Sequence, residues 1–180
     1  IVVVDITEED LKKYGQWPWP RHTMAMFHAT LTSAGAILVN YNILFADPDR
    51  MSGNEYLKSM PMDNELREQL AKILPDTDAI FSYIMKESNN AVLMMSVNHK
   101  ESNVLPRTTP IIQKGDALPW LYSYPGLVVP NSKVAAGANA IGVMVTAPEP
   151  DAVVRKMPML IRVGDKVYPN FILVIVRLLY

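Results

Sequence analysis

Carboxylates, guanidiniums and two rigid indoles stand where this chain could do chemistry. Asp5 interrupts the β-branched run Ile1-Val2-Val3-Val4-Asp5-Ile6, and Asp47 and Asp49 bracket a proline in Asp47-Pro48-Asp49-Arg50. A lone charge is costly to bury, so Asp5 must pair with a cation, cap the helix that follows, or face a cleft. Asp47 and Asp49 could give oxygens to Ca²⁺ or Mg²⁺, but two acids fall short of the roughly six to eight ligands calcium takes. Otherwise they cap their turn or pair with Arg50 or Arg21. Arg21 and Arg155 could clamp an anionic ligand bidentately, or pair with those same acids. Trp17 and Trp19 lie in Gly15-Gln16-Trp17-Pro18-Trp19-Pro20-Arg21. Each proline there fixes its own φ and pushes the preceding residue towards extended backbone, which makes the loop stiff. Indoles held this way wedge two layers of a fold together or line a pocket. Asp5, Trp17, Trp19, Arg21, Asp47, Asp49 and Arg155 are therefore the candidate ligand-binding residues.

Nothing in the chain spells out a catalytic or cofactor site. It has no Gly-x-Ser-x-Gly elbow, P-loop, dinucleotide Gly-x-Gly-x-x-Gly or His-Glu-x-x-His. On one helix, His22 and His28 would stand ~240° apart at ~100° per residue, so they cannot share a metal from one face. His28 borders an apolar stripe and reads as a packed or solvated helix histidine. The eleven methionines read as fillers of core gaps. No catalytic, cofactor-binding or metal-ligating residue is assigned, and no cofactor is expected.

Composition narrows the classes further. With 49% hydrophobic and 19% charged residues over 180 positions, the chain can build one globular core. Its formal net charge of −1, with Lys and Arg scattered, offers no basic field for nucleic acid. The absence of cysteine excludes disulfides and thiolate sites but fixes no compartment. No apolar run approaches the ~20 residues of a membrane helix. The opening on Ile1, with neither methionine nor a basic start, suggests part of a longer protein.

The elements that must position these residues follow from periodicity. Residues 1–6 read as a strand buried on both faces. Thr7 with Asp10 resembles a capping box, Glu8 and Glu9 favour a first turn, and Gly15 ends that short helix. After the tryptophan loop, Met24, Phe27, Leu31 and Ala34 share a helix face, with Gly35 as C-cap. Residues 36–45 read as a second strand, parallel to the first and beside it. The loop 46–50 then leaves that strand's carboxyl end, where ligands sit in open α/β sheets. Residues 51–62 look irregular. Leu66, Leu70, Ile73 and Leu74 mark an amphipathic helix from Asp63, stopped by Pro75, and a second helix over residues 77–87 buries Ile80, Phe81 and Ile84. Residues 91–97 form a third buried strand. Residues 98–133, with five prolines, read as an irregular insertion or flap. Residues 138–145 read as a strand and Pro148-Glu149-Pro150-Asp151 as a turn. Residues 153–163 and 166–168 form a hairpin about Gly164-Asp165. Residues 171–180 are a buried helix or a last strand, with helix favoured. The sum is one α/β domain over residues 1–180: a mostly parallel central sheet, flanking helices and a C-terminal antiparallel hairpin.

Residues 1–6, residues 15–21, Ile43-Leu44-Phe45 followed by Asp47-Pro48-Asp49, and Asp151-Ala152-Val153-Val154-Arg155-Lys156-Met157-Pro158 occur in an order that resembles the second type of CHASE domain. That family comprises extracellular sensory modules of bacterial cyclases and histidine kinases. The anchors span roughly residues 1–50 and 137–175, and such domains usually continue for about another hundred residues. Two positions depart from the family pattern. Asn42 stands where an aspartate is usual, which removes a charge. Ala152 stands where glycine is usual, which removes the residue most at ease with positive φ. The resemblance implies an extracytoplasmic sensor between transmembrane segments, passing a signal to a kinase or cyclase and itself catalysing nothing. It would detect an unknown small-molecule ligand or protein partner, near the ends of the first two strands between the tryptophan loop and residues 47–50, and it could work as a homodimer. The alternatives from other classes are a small-molecule-modifying α/β enzyme that uses the acids at those strand ends, and a structural dimerisation module that pairs through residues 171–180.

Overall fold

The computed structural model describes residues 1–102, 106, 111–112, 114–146, 151 and 153–180. The chain opens with the capped helix α1 (Glu8–Tyr14). Thr7 Oγ1 accepts from the Asp10 amide while the Asp10 carboxylate accepts from the Thr7 amide, so two orphan donors are satisfied reciprocally. Gly15 ends the helix at φ 94°. Helix α2 (Arg21–Ser33) starts directly after Pro20, and no side chain of its own segment caps it. Strand β1 (Val39–Tyr41), the short helix α3 (Gly53–Lys58) and helix α4 (Asn64–Ile73) follow. Helix α5 (Thr77–Ser88), capped by Asp76, ends at Asn89 with left-handed backbone. Strand β2 (Ala91–Asn98), strand β3 (Tyr122–Tyr124), strand β4 (Gly126–Val128), helix α6 (Ser132–Ala135), strands β5 (Ala140–Met144), β6 (Leu160–Val163) and β7 (Lys166–Pro169), and helix α7 (Phe171–Leu179) complete the order.

Strand β2 is the axis of the first sheet. It pairs parallel with β1 through Ala91–Leu93 and with β5 through Val92–Ser96, and antiparallel with β4 through Ser96–Asn98. The second sheet holds β3 parallel to β6, and β6 antiparallel to β7 across Gly164 at φ 62°. The fold is α/β, but its sheets are mixed rather than mostly parallel. A strand that follows a tight turn can return only antiparallel, as β7 does on β6, while β4 reaches its antiparallel place on β2 by a long connection.

Strand β2 reads as a continuous apolar run because both of its faces are covered. Leu93 faces the core of α2 and α5 with Met24, Tyr41, Phe45, Phe81 and Met85, while Val92 faces Phe171 and Val174 of α7. Helices therefore cover β2 on both sides. At Gly142 a Cβ would run into the Phe171 backbone, so only glycine lets α7 lie this close on β5. Met95, Val143, Ile161, Val163 and Tyr168 join the hairpin to the sheet as a second core.

Several expectations are corrected. Residues 1–6 are not a buried strand: Ile1 to Val4 are exposed, and none of the described strands pairs with them. β-branched residues favour extended backbone, but a strand also needs a partner ladder. The predicted parallel neighbours at the start of the chain are accordingly absent, and β1 pairs with β2 instead. Strand β1 covers three residues of the predicted ten. Residues 51–62 contain α3. The apolar stripe of α4 stays open, with Leu66 and Ile73 exposed, and in α5 Ile80 is exposed while Met85 is buried. Within 98–133, β3, β4 and the start of α6 replace irregular chain, because segments too short to show a period still found ladder partners. The turn at Pro148-Glu149-Pro150 lies outside the described residues. Residues 171–180 are a helix, as favoured.

Candidate functional site

Asp49 is the centre of the site. The chain leaves β1 through Phe45 and the 46–50 loop, which carries the Asp49 carboxylate to the N-terminal ends of both α2 and α5. Its Oδ2 accepts from the Arg21 amide at 2.6 Å and from Thr77 Oγ1 at 2.6 Å, and its Oδ1 accepts from the Met51 amide at 3.0 Å. The missing local cap of α2 is thus supplied from 28 residues away. A carboxylate there satisfies an orphan amide and meets the positive ends of two helix dipoles. Burial pulls its pKa up, but the hydrogen bonds from Thr77, Arg21 and Met51 and the Arg21 charge outweigh it, and the carboxyl is held below its ordinary range.

Arg21 closes the cluster. Its guanidinium lies 4.6 Å over the Phe45 ring, donates from Nη2 to the Asp47 carbonyl at 3.2 Å, and places Nε 3.4 Å from Asp78 Oδ1. Asp78 is buried and its Oδ2 accepts from the Asp49 amide at 3.0 Å. Neither Arg21 Nε nor Asp78 Oδ1 makes an aligned hydrogen bond. The ion pair is therefore charge-matched but loosely aimed.

Beside the cluster lies a shallow depression of about 180 Å³, lined by Pro48, Ser52, Asn54, Glu55 and Asp78 on one side and Asn131, Ser132 and Lys133 on the other. Its rim is tied together. The Asn131 amide donates to the Phe45 carbonyl at 2.8 Å, and Lys133 Nζ pairs with the Asp76 carboxylate, which also accepts from Ser52 Oγ at 3.3 Å. Burial raises the Asp76 pKa, but Lys133 and the Ala79 amide overcome that and hold it low, while the Asp76 hydrogen bond raises that of Lys133. The wall offers carboxylates, one ammonium, amides and two hydroxyls, which suits a small polar molecule bound by hydrogen bonds and charge. Asp49 is not free to bind a cation, since its oxygens are already occupied by three donors. Among the described residues no three His, Asp or Glu side chains gather to hold a metal ion.

The sequence candidates separate into three groups. Arg21, Asp47 and Asp49 come together, Asp47 through its carbonyl and with its side chain exposed. Trp17 and Trp19 serve the core. Trp19 is buried, donates from its indole to the Gly15 carbonyl at 2.9 Å, and meets Trp17 edge-on at 5.8 Å and Tyr14 at 5.7 Å. Asp5 is exposed and its Oδ1 accepts from the Ile6 amide, and Arg155 is exposed and forks onto Asp151 at 2.7 and 3.0 Å. Thr77, Asp78, Asn131 and Lys133 were missed. Asp76-Thr77-Asp78 after Pro75 is a visible helix start, but no local signal shows that it faces residues 47–49.

A family model described as the CHASE2 domain matches residues 1–179. No curated protein and no solved structure matches the chain.

Proposed function

Because the chain belongs to the CHASE2 domain family, whose members are sensory domains of signalling receptors with cyclase or kinase output, we propose that it is the extracytoplasmic sensor of a membrane-bound bacterial receptor. The match over residues 1–179 carries this reading, and the family is sensory rather than catalytic. No helix among the described residues is long and apolar enough to cross a membrane. Anchoring would therefore come from flanking segments. Reading the encoding gene on both sides tests it: the reading expects apolar segments of about twenty residues and a kinase or cyclase beyond one of them. Flanks without either would overturn it.

The input of this sensor is a small polar ligand, or a polar segment of a partner, seated in the depression beside Asp49. The depression opens at the carboxyl side of β1, where α/β sheets commonly bind ligands, and its walls come from three separate segments of the chain. A ligand that bridges them has different affinity for different spacings, which is what shifting a receptor between two states requires. Asn54→Trp, which fills the depression from an exposed position, should abolish the response of the intact receptor while the chain stays folded. An unchanged response would place the input elsewhere.

A further inference from the structure

We propose that His28 is a proton-responsive tie between α2 and α5: neutral, it holds both helices to β1, and acidification releases them. This goes beyond the sensor reading and makes the proton itself an input.

His28 lies two turns into α2 and is fully buried. Its Nδ1 is 2.9 Å from the Tyr41 hydroxyl of β1, and its Nε2 is 2.7 Å from Ser88 Oγ in the last turn of α5. The ring stacks on Tyr41 at 5.9 Å and meets Phe81 edge-on at 6.5 Å. Ser88 Oγ also lies 2.8 Å from the Ile84 carbonyl and 3.1 Å from that of Met85. The serine proton therefore goes to the helix backbone, Nε2–H donates to the serine oxygen, and Nδ1 accepts from Tyr41. One ring nitrogen donates and the other accepts, which only neutral imidazole does.

A second proton converts Nδ1 into a donor. Tyr41 must then turn its oxygen to the ring and give up the hydrogen bond that its own proton makes there. The groups facing the imidazole are Tyr41 from β1, Ser88 and Phe81 from α5, and Asn90 from the α5–β2 connection. None of them is charged. Burial keeps the Tyr41 hydroxyl protonated well above its ordinary value, so it supplies no counter-charge. An imidazolium here would be buried and unpaired, which is costly. Burial accordingly lowers the His28 pKa below 6.5, with the Asn90 amide opposing more weakly.

The tie reaches the candidate site through the helices themselves. Arg21 and Asp49 bind Asp78 and Thr77 at the N-terminal ends of α2 and α5, and His28 binds Ser88 further along the same pair. Release of the inner tie leaves the helices held to one another by polar contacts mainly beside the depression.

The direction with pH follows from the lowered value. The unfolded chain takes up its proton near pH 6.5, and the folded chain does so only lower. The contribution of His28 is complete above pH 6.5 and is lost as pH falls from there to the folded value, by up to about tenfold in the folding constant per pH unit.

The test uses the chain with His22→Gln and His99→Gln, both exposed, so that His28 is the remaining histidine of three. Urea unfolding from pH 7.5 to 5 should show the folding constant falling below pH 6.5, and adding His28→Gln should remove that slope. A slope that survives the added substitution overturns the proposal. Should the His28→Gln chain fail to fold, the His28 Cε1–H resonance in the parent chain decides. A titration midpoint below 6.5, with the protection of α2 and α5 amides relative to the unfolded chain falling as pH drops through it, supports the tie. A midpoint at or above 6.5, or protection in those helices that does not change, overturns it.

Discussion

Helices α2 and α5 are joined at two places by opposite chemistry. At their N-terminal ends the tie is ionic: Asp49 accepts from the first residues of both helices, and Arg21 faces Asp78. Two turns further along α2 the tie is neutral, through Tyr41, His28 and Ser88. Both are buried, and burial disfavours the charged form of each, but only the carboxylate has partners that outweigh it. A carboxylate supplied with three donors and an arginine stays ionised below its usual range, whereas an imidazole with no counter-charge stays neutral below its own. One helix pair thus carries an acid-resistant joint next to an acid-sensitive one. The difference lies in the partners each group was given and not in depth.

The ionic joint should be the costlier to break. Asp49→Ala leaves the Arg21 amide, Thr77 hydroxyl and Met51 amide without their acceptor and Arg21 half-compensated, and should cost about 3–5 kcal/mol, read from urea unfolding at pH 7. A loss no greater than that of an exposed substitution would show that water replaces the carboxylate there. Thr77→Val removes a single hydrogen bond to that carboxylate and keeps the shape, so about 2 kcal/mol is expected in the same assay. Tyr41→Phe removes the donor to His28 Nδ1 and should cost about 1 kcal/mol at pH 7. Its cost should shrink as pH drops below 6.5, since protonated His28 no longer accepts there. The acid limb sharpens the contrast further. The folded-state pKa of Asp49 is depressed, so its contribution is present above the unfolded value of 3.8 and lost as pH falls through the lower folded one. Unfolding curves should therefore show that loss below about pH 4, separate from the His28 step, and Asp49→Asn should remove only the lower one. The smallest effect belongs to Arg155→Gln. Its partner Asp151 is exposed, and exposed ion pairs contribute little, so the unfolding midpoint should not move measurably.

What could be read in advance was whatever a short window of chain determines. Thr7 with Asp10, the apolar periods from Asp63 and over residues 77–87, and Gly164-Asp165 act on neighbours within a few residues, and α1, α4, α5 and the β6–β7 turn stand where those signals put them. The family, too, was legible in the anchors around residues 1–6, 15–21, 43–49 and 151–158, and the match over residues 1–179 agrees. Of the candidate site, Arg21, Asp47 and Asp49 were visible as residues able to pair, because a charge between apolar runs needs a reason. Their partners were not. Thr77 and Asp78 lie 28 and 29 residues beyond Asp49, and Lys133 lies 57 beyond Asp76, distances over which periodicity carries no information. Residues 1–6 show the reverse failure, a strong local preference with no partner to complete it.

The α/β class, most of the helix starts and the kinds of group available for chemistry follow from the order of residues, because caps, turns and side-chain periods act locally. Which carboxylate meets which helix end, which histidine goes dry, and which face of β2 each helix covers follow from packing alone. Hydrogen bonds and desolvation depend on neighbours in space, and the crossovers that bring α2, β1 and α5 together choose those neighbours.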